Sequence, residues 1–177
     1  MPLQINDIAP DFTVNTTKGE ISFHDWIGDG WAILFSHPKD FTPVCTTELG
    51  SLAKLEPEFV KRNVKVIGLS VDSVDDHNAW LNDIEDVTKT RPSYPIVADS
   101  ELKVAKLYNM LPTSLEGGSE GRTAVDNQTV RTVFVIGPDR FRNIPCPTYP
   151  EIRLALFAKK RIFRLLDNLE PDVLHIN

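Results

Sequence analysis

The chain has 177 residues, 41% of them hydrophobic and 25% charged, with a formal net charge of −6. That length suits one globular domain, residues 1–177, burying about 70% of the surface its unfolded chain exposes, and the acidic balance argues against general attraction to nucleic acid or anionic lipid. No apolar run approaches the ~20 residues that span a bilayer, and residues 1–7 have neither the basic start nor the apolar core of a secretory signal, so a cytoplasmic address without stable membrane insertion is expected.

In chain order, residues 11–23 alternate apolar and polar side chains around Lys18-Gly19, the pattern of a β-hairpin. Trp31-Ala32-Ile33-Leu34-Phe35-Ser36 is an apolar run that reads as an inner strand. After it, Leu49, Leu52, Ala53, Phe59 and Val60 recur at roughly helical spacing, which predicts one amphipathic helix. Residues 64–71 are dense in β-branched side chains and read as a central strand. Ser73, with Asp76 three positions later, has the form of a capping box for a helix that turns Trp80, Leu81 and Ile84 inward. Residues 94–99 form another strand candidate, residues 102–108 a short helix, and Ser114 to Gly121 a glycine-rich loop. A strand over residues 129–136 ends at the turn Gly137-Pro138-Asp139, and a last helix lays Ile162, Phe163, Leu166 and Leu169 along its inner stripe. Strand and helix alternate, which favours an α/β layer with a mixed sheet. Residues 140–165 hold seven basic side chains and one acidic one, so the remainder is near −12; the basic excess reads as a solvated helix face, with a binding surface as the alternative.

Two cysteines, Cys45 and Cys146, are too few for a disulfide scaffold, and neither belongs to a C-x-x-C pair. Dithiol chemistry of the thioredoxin kind and cysteine-rich zinc sites are therefore poorly supported. Cys45 stands between the apolar strand at residues 31–36 and the predicted helix, at that helix's N-terminus. Amide N–H groups without helical partners converge at such a position, and the helix dipole favours negative charge, so a thiol there has the setting of a nucleophile.

The spacing Pro38-x-x-x-Thr42-x-x-Cys45, followed by Thr46-Thr47-Glu48, resembles the active-site signature of the peroxiredoxins. The longer stretch from Leu34 to Gly50 resembles the one-cysteine (peroxiredoxin-6) type, and the likeness runs from Ile8-Ala9-Pro10-Asp11-Phe12 to Ile136-Gly137-Pro138-Asp139. The resemblance implies a thioredoxin-like fold, a mixed central sheet flanked by helices, with an added N-terminal hairpin. It also implies a thiol-dependent peroxidase in which Cys45 attacks hydrogen peroxide or an organic hydroperoxide and leaves as a sulfenic acid.

Peroxide reduction needs a nucleophilic sulfur and donors for the oxygen that departs. By resemblance Thr42 supplies a hydroxyl that donates to a peroxide oxygen and accepts from a neighbour. Residue type alone allows a turn threonine bonded to its own backbone. Pro38 fixes φ and suits a rigid, water-excluding wall over the sulfur, or simply terminates the strand. Arg131 matches the family's active-site arginine, whose guanidinium stabilises anionic sulfur and donates to peroxide; the other reading is a strand arginine pointing to solvent. Glu48 either orients Arg131 or is an ordinary first-turn carboxylate. His37 is a polar neighbour of the pocket or a structural histidine beside a strand end.

Members of this class often carry a phospholipid hydrolase activity assigned to a serine in Gly-Asp-Ser-Trp-Gly with a histidine and an aspartate. Here the stretch reads Gly28-Asp29-Gly30-Trp31-Ala32, so Gly30 holds the serine position while His24 and Asp139 match its partners. Peroxidase chemistry without serine-dependent hydrolysis is expected. Beyond Asp139 the likeness weakens, and residues 140–177 are expected to be divergent and to lack the C-terminal arm of the class. The flanks of Cys146 do not resemble a resolving-cysteine motif, so an external thiol, glutathione or a thiol protein, is expected to close the cycle. The alternatives are a two-cysteine cycle through Cys146, and a redox sensor or chaperone-like binding protein on the same fold. A homodimer is implied, with no metal and no organic prosthetic group.

Overall fold

The computed structural model describes residues 3, 7–112, 128–138 and 143–145. All of them fall within one compact unit, Met1–Cys146. The expected loop at residues 114–121, Asp139, Cys146 and the last helix lie outside the described residues, as does part of the expected single domain.

A hairpin opens the fold. Strands β1 (Thr13–Thr16) and β2 (Gly19–Ser22) pair antiparallel, with Thr16 opposite Gly19. Gly19 takes φ +93, a conformation that costs a residue without Cβ little. A five-residue helix, α1 (Phe23–Ile27), follows at once and buries Phe23 and Ile27; its brevity left no periodic signal in the sequence.

The centre of the sheet is β3 (Trp31–Ser36) and β4 (Val64–Ser70), which run parallel. Five of the six β3 residues are buried, as a strand covered on both faces requires. The sheet continues through β5 (Ile96–Ala98), parallel to β4, and on the other side through β6 (Val133–Ile136), antiparallel to β3. A short strand, β7 (Asn143–Pro145), pairs antiparallel with β6. Among the described residues the order is β2-β1-β5-β4-β3-β6-β7, a mixed seven-stranded sheet. No strand was expected at β7, because its proline and three-residue length hide it; proline is tolerated there because β7 stands at the end of the strand order.

Two sequence expectations need correction. The single helix after Cys45 is two, α2 (Pro43–Ala53) and α3 (Glu56–Lys61), because Pro57 can begin a helix but cannot continue one. Val60, read as part of an inner stripe, is 74% exposed on the new helix, whereas Phe59 beside it is buried. The strand expected from residue 129 begins only at Val133, so Arg131 sits in the extended lead to β6 and not within it.

Helix α4 (Val74–Thr88) has the expected capping box: the Ser73 hydroxyl accepts from the Asp76 amide at 3.1 Å, and the Asp76 carboxylate accepts from the Ser73 amide. It buries His77, Trp80, Leu81 and Ile84. Trp80 is fully buried and its indole N–H donates to the Thr46 hydroxyl at 3.0 Å, tying α4 to α2 one residue beyond Cys45. Burying such a side chain contributes about 2–3 kcal/mol. The last described helix, α5 (Lys103–Leu107), is held by buried Asp99, which accepts from the Val104 and Ala105 amides at 3.1 and 2.6 Å. Burial nevertheless raises the Asp99 carboxyl above its ordinary value, outweighing those backbone donors.

Candidate active site

The antiparallel pairing of β3 with β6 brings two distant chain segments together. β3 runs out at Ser36 toward the loop that leads into the helix carrying Cys45, and β6 is entered at that same end, since Phe35 pairs with Val133. Ser36 secures the approach. Its amide donates to Thr132 O at 2.9 Å, its hydroxyl donates to Val130 O at 2.5 Å and accepts from the Thr132 amide at 3.2 Å. Next along, the Thr129 hydroxyl donates to His37 O at 2.6 Å. Arg131 is thereby fixed beside the turn into α2, 86 residues from Cys45 in sequence.

Helix α2 starts with Thr42 as N-cap (φ −92, ψ 139) and Pro43 at the first helical position, where the missing N–H forfeits no helical bond. The first bond within the helix runs from the Thr46 amide to Thr42 O at 2.9 Å, so the amides of Val44 and Cys45 precede the helical ladder. Cys45 is the third helical residue and is 1% exposed. Its Sγ accepts from Arg131 Nη2 at 3.1 Å, and Arg131 Nε donates to Glu48 Oε2, also at 3.1 Å. The Glu48 and Arg131 side chains are 13% and 21% exposed, so this ion pair is much less screened than a surface pair. One guanidinium thus bridges a buried sulfur and Glu48, which lies in the second turn of α2 and not in the first, where the sequence alone places it.

The remaining expected residues occupy the loop between β3 and α2. Thr42 is half-buried, and its hydroxyl donates to Lys39 O at 3.2 Å, the local turn bond that residue type alone allowed; its oxygen lone pairs remain available as acceptors. Pro38 is half-buried two residues after the end of β3. His37 is 1% exposed and packs on Trp80 with ring centroids 5.1 Å apart. Cys45, Arg131 and Glu48 therefore stand in direct contact, while Thr42, Pro38 and His37 flank them through the chain.

Sequence reasoning missed Asp40, which is 2% exposed and accepts from His37 Nε2 at 2.7 Å and from His77 Nδ1 at 2.5 Å. Burial pushes its carboxyl up, but the hydrogen bonds from His37 and His77, with the favourable electrostatics of the imidazoles, together outweigh burial and hold it below the ordinary 3.8. The signal was present in α4, where His77, Trp80, Leu81 and Ile84 share the buried stripe: a histidine on an apolar face needs a polar partner. The hydrolase-like stretch is also placed. Gly30 is buried, and a Cβ there would lie 2.7 Å from Asn63 O, so the backbones of the two segments leave no room for serine. His24 Nε2 lies 2.8 Å from Ala9 O.

The AhpC/TSA family profile matches residues 5–141. Human peroxiredoxin-6 is 53% identical over 96% of this chain and 81% of its own length. The 1-Cys peroxiredoxin of Dictyostelium discoideum is 49% identical over 78% of the chain, which spans 54% of that relative's length. Among solved structures, the yeast mitochondrial 1-Cys peroxiredoxin, whose thiol is resolved through the glutathione and thioredoxin systems, superposes with a TM-score of 0.72 at 39% identity, covering 97% of this chain and 84% of its own. The fold is therefore thioredoxin-like, as the resemblance implied. With a buried cysteine on the first turn of α2 paired to an arginine from the segment leading into the neighbouring strand β6, and with these relatives, the chain belongs to the AhpC/TSA family as a peroxiredoxin of the one-cysteine type.

Proposed function

We propose that the chain is a thiol-dependent peroxidase that reduces hydrogen peroxide and organic hydroperoxides at Cys45. The Cys45 thiolate attacks one peroxide oxygen, the O–O bond breaks, and the other oxygen leaves with the bonding pair and takes up a proton as water or an alcohol. Cys45 is left as a sulfenic acid. An external thiol then condenses with it, releasing water, and a second thiol reduces the mixed disulfide. The likeness to relatives named for one cysteine supports resolution by glutathione or a thiol protein over a Cys45–Cys146 disulfide.

The observation that carries this reading is the 3.1 Å contact between Arg131 Nη2 and the buried Cys45 Sγ. A guanidinium presents several donors in a fixed fork, so one N–H can face sulfur while others meet charge developing on the departing oxygen. Glu48 holds the fork, and Thr42 turns its hydroxyl from Lys39 O to the peroxide. Pro38 stiffens the entrance to the loop. The cycle needs the peroxide and thiols alone, without a metal or prosthetic group. We assign a homodimer and a cytoplasmic location on the family likeness; among the described residues no helix is long and apolar enough to cross a membrane. Serine-dependent phospholipid hydrolysis is absent in this reading, since Gly30 has neither a hydroxyl nor space for one.

The test is peroxide consumption with glutathione or a thioredoxin system as reductant, for the wild type, Cys45→Ser and Cys146→Ser. Loss of turnover in Cys45→Ser alone is expected. Turnover that survives Cys45→Ser, or a Cys45–Cys146 disulfide mapped after one equivalent of peroxide, would overturn it.

A further inference from the structure

His77, in the buried stripe of α4, has oxygen against both ring nitrogens. Nδ1 lies 2.5 Å from Asp40 Oδ2, and Nε2 lies 3.1 Å from the Val97 carbonyl oxygen. A carbonyl only accepts, and so does an ionised carboxylate. Asp40 spends its other oxygen on His37 Nε2 at 2.7 Å, which leaves His37 Nδ1 without a hydrogen-bond partner. The three side chains are no more than 2% exposed, so they do not face bulk solvent.

A shared metal ion is the other way to reconcile facing lone pairs, and atoms of His37, Asp40 and His77 do lie within 4.8 Å of one another. The 2.5 Å contact decides against it. Ligands held about 2.0–2.1 Å from one zinc ion at tetrahedral angles stand roughly 3.3 Å apart. A proton fits the gap. Between imidazole and carboxylate, the imidazole is the more basic by about 2.6 units, so the proton belongs on nitrogen. The lowered Asp40 carboxyl agrees.

We infer that His77 stands in the folded protein as an imidazolium, its two N–H groups clamping Asp40 to the Val97 carbonyl, and that it is a positioning residue for the loop that leads into α2 and Cys45. The role follows from where Asp40 sits. It lies midway between β3 and α2, and its amide is held as well, donating to Asp72 Oδ2 at 2.9 Å. Phe41 follows in the left-handed region (φ 58) although it has a Cβ, a conformation that persists only where neighbours hold it. Thr42, the N-cap, and Cys45, the third helical residue, are delivered from that turn. The clamp also fixes His37 as the tautomer with its proton on Nε2.

The positioning role rests on the peroxidase reading, whereas the protonation state does not. Imidazole ¹H–¹⁵N correlation spectra of the full chain at neutral pH, assigned with His77→Asn and His37→Asn, should show N–H at both nitrogens of His77 and a bare Nδ1 on His37. A bare nitrogen on His77 overturns the inference. Stopped-flow oxidation of Cys45 by hydrogen peroxide gives the second readout. His77→Leu, which removes both donors, should slow it by about 10²-fold, while His77→Asn, whose amide can still donate to Asp40, should recover most of the rate. Equal rates for wild type and His77→Leu, or an Asn variant no faster than Leu, overturn the positioning role. If His77→Leu does not fold, the wild-type spectrum together with the rate of His77→Asn decides. A wild type that does not react with peroxide refutes the peroxidase reading and leaves the spectrum to decide the clamp.

Discussion

The contact chain Glu48–Arg131–Cys45 makes a quantitative claim that a double-mutant cycle can test. Arg131→Ala removes a charge-assisted donor 3.1 Å from Sγ. A hydrogen bond of that kind contributes about 1.5–3 kcal/mol, and each 1.4 kcal/mol is about tenfold in rate, so oxidation of Cys45 should slow by roughly 10- to 150-fold. Glu48→Ala leaves the guanidinium in place but removes the acceptor on Nε, so its effect should be smaller, about three- to tenfold. If Glu48 acts by holding Arg131, then Glu48→Ala should add nothing once Arg131 is alanine. The assay is stopped-flow oxidation followed by intrinsic fluorescence, for which Trp80, bonded to Thr46 beside the cysteine, is a convenient reporter. Urea midpoints for all four proteins separate folding losses from kinetic ones. Two results refute the reasoning: Arg131→Ala within about twofold of wild type, or Glu48→Ala slowing both backgrounds equally.

Helices α2 and α4 meet at Gly50, where a Cβ would fall well within 3.0 Å of the Thr88 side chain. Thr88 is held by its bonds to Ile84 O and Thr90 O, so Gly50→Ala should destabilise the fold by about 1–3 kcal/mol in urea titration; an unchanged midpoint would show that Thr88 yields freely. Asp40 governs acid stability, since its folded carboxyl lies below the ordinary 3.8. Its contribution is complete above the unfolded value and is lost as pH falls through the lower folded one, so the gap in urea midpoint between wild type and Asp40→Asn should narrow as the pH is lowered from about 5 into the range below the ordinary 3.8. A gap that stays constant across that range contradicts the assignment. Gly30→Ser should lower the thermal midpoint and release no fatty acid from phospholipid, because serine there meets Asn63 O; hydrolysis by clean protein would refute this.

How much of this was legible in the sequence depends on the range of the interaction concerned. The Ser73–Asp76 capping box and the Lys18-Gly19 hairpin are local devices, the first closed over three residues and the second over no more than nine, and both were readable. The break between α2 and α3 was local too, but the apolar stripe running across Pro57 masked it. What could not be read were partners chosen by the sheet. Asp40 meets His77 across 37 residues and Arg131 meets Cys45 across 86, and nothing in the spacing of either pair states the distance. Family resemblance supplied the second pair because its motif had been seen before. It could not supply the first, because no catalytic motif marks His77.

That difference bears on how a peroxide site of this kind is built. In the proposed cycle reactivity resides in Cys45 and Arg131; Arg131 lies on a connecting segment and Cys45 on the first turn of a helix entered from one, and a connecting segment has no ladder of its own to fix it. The fold answers with side-chain anchors to rigid elements on every flank: Ser36 of β3 holds the Arg131 segment, Thr46 receives the Trp80 indole from α4, and Asp40 is held by His77 of the same helix. Since α4 supplies two of these three anchors, disturbance of its buried stripe should reach the sulfur even where no contact with Cys45 is lost. In the proposed cycle the thiol is therefore positioned by the helix behind it as well as by the arginine in front.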